Sequence, residues 1–279
     1  MPASQIAQNL AFINWTVLAG LGIGTYGTVV LLRRASLATG GYLGFATVCA
    51  IAFGVLAWLS DGALPASLGS SPVEIDPVFD APRRSALAAF YVLAALGLVG
   101  RRVAPRVAPL VELAALGAAI AALVAAALAW GGGALGAVAL GIELALLSAA
   151  TGGVFAAMIL GHWYLVTPKL PEAPLILVAR ILLAVMVGQL VLFALWTVTG
   201  AGPGAPPPFG ALSGEWALFT WLRLIVGLIF PLIVSWAALQ TARTRSMESA
   251  TGLLYINVGT IATGTILAAG LYFGAGLLV

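Results

Sequence analysis

Four ionisable side chains fall inside long apolar runs: Glu112, Glu143, Arg180 and Arg223. A charge in hydrocarbon costs several kcal/mol unless it is paired or reached by water. Each of the four therefore needs a compensating group, and those groups are where chemistry would be found. Position along the runs sorts them into two levels. Glu112 lies about five residues into its run and Arg180 six residues past Pro174. At 1.5 Å rise per residue both sit roughly 8 Å deep, on the same side. Glu143 and Arg223 lie towards the opposite side. Two buried pairs are expected, Glu112 with Arg180 and Glu143 with Arg223. Such pairs either lock helices in register or frame a polar pocket for a ligand headgroup or a proton.

The first level carries more chemistry. His162 stands in the string Gly161-His162-Trp163-Tyr164, five residues before Thr167. Tyr255 and Asn257 reach a comparable depth from a later run. Grouped together, His162, Arg180, Glu112, Tyr164 and Asn257 would suit a quinone-type headgroup. They offer donors for two carbonyl oxygens, an imidazole that titrates near neutral pH, a carboxylate to relay the proton, and apolar walls for a tail. The opposing reading is structural: a histidine at headgroup level, and an arginine that snorkels to the surface.

Several chemistries are excluded. The chain has one histidine and one cysteine, Cys49. A haem held by two of its own histidines, a multi-histidine metal site, an internal disulfide and a cysteine metal cluster are all ruled out. Met158 shares the helical face of His162, so it cannot take the opposite axial position on one haem. No phosphate-binding loop, nucleophile elbow or HExxH zinc string occurs, and nothing favours nucleic acid. No metal and no covalent cofactor is expected, and a quinone is the one candidate ligand.

The elements that must position these residues follow from composition. Of 279 residues, 62% are hydrophobic and 8% charged; mean hydropathy is +1.12. A soluble domain is about a quarter charged, so the solvent of this chain is largely lipid. The expected class is all-α: one polytopic membrane domain over 1–279, a bundle of eight transmembrane helices. A span takes about 20 apolar residues. The expected spans are 10–32, 41–60, 85–100, 107–130, 140–166, 174–199, 215–241 and 250–278. The run 134–166 would be roughly 50 Å as one straight helix, longer than a hydrocarbon core, so the later start is preferred. Pro231 is expected to kink the seventh span. Small-residue pairs (Gly20/Gly24, Gly152/Ala156, Ala157/Gly161, Gly270/Gly274) predict close helix approach. Aromatic residues near span ends, Trp15, Trp130, Trp163, Tyr164, Trp196, Trp216, Trp221 and Trp236, read mostly as interfacial belts.

Sidedness follows from basic residues in short loops. One side collects Arg33, Arg34, Arg101, Arg102, Arg106, Lys169, Arg243 and Arg245; the other has Arg83 and Arg84. The first side is expected to be cytoplasmic, which puts both termini outside, with the first run retained rather than cleaved. High Ala and Gly content points to a GC-rich bacterial genome and hence to the bacterial cytoplasmic (inner) membrane. The soluble loops are too small to hold an active site of their own. The expected function is therefore a membrane-embedded subunit of a bacterial respiratory or electron-transfer complex, interacting with quinone rather than acting as an enzyme by itself. Its partners would be the lipid bilayer and membrane or peripheral redox subunits. Two other readings stand beside it. A small-solute or ion transporter would use the buried pairs as gates and show a wet path towards mid-membrane with broken helices. A structural or assembly subunit would keep its pairs sealed.

Overall fold

The computed structural model describes residues 1–35, 38–167 and 170–279. The helices are α1 (Pro2–Gln8), α2 (Leu10–Arg34), α3 (Gly40–Asp61), α4 (Asp80–Val103), α5 (Ala108–Trp130), α6 (Ala134–Val166), α7 (Ala173–Thr199), α8 (Ala217–Leu224), α9 (Phe230–Arg243) and α10 (Met247–Ala275). A π-helical turn, Ile225–Ile229, joins α8 to α9 as one span. Among the described residues, eight helical segments are long and apolar enough to cross a membrane. The molecule is an all-α bundle of eight such helices. Leu135, Leu110, Val99 and Ile120 are exposed on its outside. That surface would aggregate in water; facing lipid it is the ordinary solvent contact.

Helices α2 and α6 are the most buried. They cross where two glycines meet. A Cβ at Gly24 would run into the Ser148 carbonyl and the Gly152 backbone. This close approach lets the Thr25 hydroxyl donate to Gly152 O across the crossing at 3.2 Å. Around this pair stand α3 and α5 on one flank and α7 and α10 on the other, with α4 packed on α3 and α5.

Several boundaries differ from expectation. The third span begins at Asp80 rather than near 85, because Asp80 and Pro82 suit a first helical turn, and Arg83 is drawn into the helix with them. The fifth span does not start late. It is one helix of 33 residues from Ala134, entered through Gly133 at φ +114, and its first turns extend beyond the length a hydrocarbon core requires. The last helix ends at Ala275. Gly276 turns left-handed at φ +67, and the tail folds back into the bundle, where Leu277, Leu278 and Val279 are buried.

The seventh span is interrupted rather than simply kinked. Pro231 lacks an N–H and its ring crowds the carbonyl four residues earlier. That carbonyl is Gly227 O, inside the π-helical turn. Arg223 Nη1 supplies a donor to it at 3.3 Å. The turn also lays Gly227 directly against Gly264 of α10.

Trp15 and Trp130 do not belong to an interfacial belt. Both are fully buried and pack edge-on at 4.9 Å between ring centres, with Phe12 and Phe273 beside Trp130. Trp221 and Trp236 are exposed, as a belt requires.

Candidate functional site

The structure separates the five residues grouped as a headgroup site. Glu112 is buried near the start of α5, and its partner is not Arg180. It accepts from Arg101 Nε at 2.8 Å and Arg101 Nη2 at 2.5 Å, and it is in direct contact with Arg33 Nη1. The carboxylate thus ties α2, α4 and α5 together. Gly97 of α4 leaves room for its side chain. Arg180 is exposed on α7 and makes no ion pair among the described residues. Its length lets the guanidinium reach headgroup water, while two arginines already saturate Glu112.

His162 is exposed near the end of α6. Its Nδ1 lies 3.4 Å from the Tyr255 hydroxyl of α10. Nine residues separate His162 from Gly153, half a turn out of phase at 3.6 residues per turn. Gly153 faces the cleft that α6 shares with α7, so His162 points away from α7 and from Arg180. Tyr164 is buried, and its hydroxyl donates to Pro171 O at 2.5 Å, holding the connection to α7 against α6. Asn257 is buried, and its amide donates to the Ser235 hydroxyl at 2.8 Å; the Thr260 hydroxyl donates to its Oδ1 at 3.2 Å. Both are occupied with packing contacts. Of the proposed group, His162 and Arg180 are exposed, and the neighbour of His162 is Tyr255. Lys169, counted with the basic loops, lies outside the described residues.

The second expected pair is in contact. Arg223 Nη2 lies 3.6 Å from Glu143 Oε1. Both side chains are buried: Arg223 is 1% and Glu143 5% exposed. The separation is Coulombic contact rather than a hydrogen bond, and that Glu143 oxygen has no hydrogen-bond partner. The guanidinium is satisfied elsewhere, by Gln189 Oε1 at 3.0 Å, Gly227 O at 3.3 Å and Val279 O at 3.3 Å. Gln189 in turn donates to Leu146 O of α6 at 2.9 Å. One arginine joins α6, α7, α8 and the folded-back tail.

A third ion cluster was not expected. Asp61, at the end of α3, accepts from Arg83 Nε at 2.6 Å and from the Trp15 indole at 2.9 Å. Arg83 Nη1 donates to Asp80 at 2.9 Å, and its guanidinium lies over the Trp130 ring, 4.8 Å from the centre. Asp61 and Arg83 are both buried. They bracket the polar loop between α3 and α4, so in the sequence they read as loop charges. The available signal was their opposite sign at the two ends of one loop, each adjoining an apolar run.

Among the described residues, no group of three or more His, Cys, Asp or Glu side chains is placed to hold a metal ion. Comparison with family models, with curated proteins and with solved structures finds no match for the chain.

Proposed function

We propose that this chain is a non-enzymatic, membrane-embedded subunit of a bacterial electron-transfer complex that receives a quinone headgroup from the lipid phase at His162 and Tyr255. The observation that carries the reading is the exposed His162–Tyr255 pair, with 3.4 Å between Nδ1 and the hydroxyl. Both residues are exposed, near the end of the bundle that collects the basic loops. An imidazole there shares its ring nitrogens between a phenol and an incoming carbonyl oxygen. The electrons would come from a redox subunit at the same face, whose chemistry this chain does not supply. The basic end faces the cytoplasm on this reading, and the membrane is the bacterial inner membrane.

The site does not extend to Glu112, Tyr164 and Asn257, which are engaged in internal ion pairs and hydrogen bonds, nor to Arg180, which faces away from His162. The transporter reading loses support for the same reason, since each buried arginine already has its partners. A structural or assembly role is favoured by a different observation. Three ion clusters, on Glu112, Arg223 and Asp61, each join three or more elements.

The test is direct. The complex is purified from native membranes, its subunits are identified and its lipids are extracted for quinone. His162→Ala and Tyr255→Phe are each expected to weaken binding of a short-tail quinone analogue roughly tenfold, the loss of about one hydrogen bond of 1–1.5 kcal/mol. Unchanged binding in both variants, together with no redox subunit in the preparation, would leave the assembly reading in place.

A further inference from the structure

A cleft opens to the lipid between α2, α5, α6 and α7, in the half of the bundle nearer the basic loops. Its volume is about 260 Å³. Gly24, Gly27 and Gly153 form its floor, and Leu31, Ile120 and Ile181 stand on its rim, all three exposed. The cleft exists because side chains are missing. A Cβ at Gly27 would meet no atom within 4 Å, and one at Gly153 would only touch the Thr28 hydroxyl at 3.9 Å. That hydroxyl is already spent on Gly24 O at 2.9 Å. Ser148 is the other hydroxyl on the walls, and the remaining lining is apolar, so the slot suits an apolar chain.

The mouth of the slot is positively charged. On α2 the positions that line it are 24, 27, 28 and 31. Continuing that stripe by three residues reaches Arg34, which is exposed at the helix end. On α5 the lining begins at Leu116, one turn beyond Glu112. Glu112 with Arg33 and Arg101 carries one net positive charge. Arg34 adds a second, so two positive charges lie where the slot meets the headgroup layer.

We propose that the slot is a specific site for an anionic glycerophospholipid of the leaflet on the basic side. One acyl chain lies along Gly27 and Gly153, and the phosphate lies against Arg34. The site is on the face of α6 opposite His162 and is independent of the quinone reading. A juxtamembrane arginine favours an anionic lipid by about 1 kcal/mol, which is about fivefold in affinity.

The experiment uses the full chain in detergent, titrated with dioleoylphosphatidylglycerol or dioleoylphosphatidylcholine and read by native mass spectrometry. Wild type is expected to retain one phosphatidylglycerol, about fivefold better than phosphatidylcholine. Arg34→Ala brings the two lipids near parity. Gly27→Leu, at a position open to a Cβ, fills the slot and abolishes the retained lipid, and Ala145→Leu does the same from the α6 wall. Gly259→Leu, at an open position on α10, behaves as wild type. Equal retention of both lipids by wild type overturns the headgroup assignment. Retention unchanged in both Gly27→Leu and Ala145→Leu overturns the slot, as does extraction of an isoprenoid quinone instead of phospholipid from it.

Discussion

Glu112 shows how a single buried carboxylate is compensated near the membrane boundary. Two guanidinium groups converge on it from different helices, and one of them grips both oxygens. Removing the negative charge leaves Arg33 and Arg101 facing each other. Breaking a fully buried pair costs about 3–5 kcal/mol. Arg101 is 36% exposed and can turn towards headgroup water, so about 2 kcal/mol is expected for Glu112→Gln. Thermal unfolding in detergent reads this as a lowered midpoint. Arg180→Ala is expected to stay within about 0.5 kcal/mol. A double-mutant cycle separates the two pairings: Glu112→Gln should couple to Arg101→Met by more than about 1 kcal/mol and not to Arg180→Ala. Coupling to Arg180 instead would restore the pairing expected from depth alone. That expectation failed for a geometric reason. Counting residues from a helix end gives depth but not direction around the bundle, so depth alone does not select the helix that faces Glu112. Arg33 and Arg101 looked like loop charges that set orientation. Both sit in the last turn of a helix, within reach of a partner one turn deeper.

Helices α2 and α6 extend the same lesson to elements. The small-residue pairs announced close packing, and Gly20/Gly24 lies at the α2–α6 crossing. The sequence could not say which glycines touch a neighbour and which face open space. Gly24 and Gly27 stand three residues apart on one helix with opposite surroundings. A methyl at Gly24 meets the Ser148 carbonyl and Gly152, whereas one at Gly27 meets nothing. Gly24→Ala should force the helices apart and cost about 1–3 kcal/mol, as overpacking does. Gly27→Ala should be neutral or stabilise by up to about 1 kcal/mol through helix propensity. Unfolding midpoints of the two variants, measured side by side, check this; equal destabilisation would argue against the crossing as described. The seventh span repeats the point. Pro231 made a break legible, but its form depends on Arg223 supplying the donor that Gly227 O lacks and on Gly264 leaving room across the interface.

Across the whole molecule, contacts between chain-distant residues fix which helix ends lie together. At one end, Asp61, Arg83, Trp15 and Trp130 meet, the Tyr272 hydroxyl donates to Trp130 O at 2.6 Å, and Leu278 N donates to Ala201 O at 3.3 Å. At the other end, Arg33 and Arg101 meet Glu112, Trp163 lies against Gly41 and Gly161 against Thr251. Every span therefore runs from one end to the other. This parity was legible because hydropathy and the basic loops count crossings without needing tertiary contacts. It predicts which surfaces share a compartment. In a Cys49→Ala background, single cysteines at the exposed positions Ser67 and Ser213 should react with a membrane-impermeant maleimide added to intact cells. A cysteine at Ser246 should react only after the membrane is opened. The reverse pattern would put the basic loops outside and remove the cytoplasmic placement of His162. Labelling of Ser67 and Ser246 from the same side would contradict the even count itself, because the contacts place those two residues at opposite ends of the bundle.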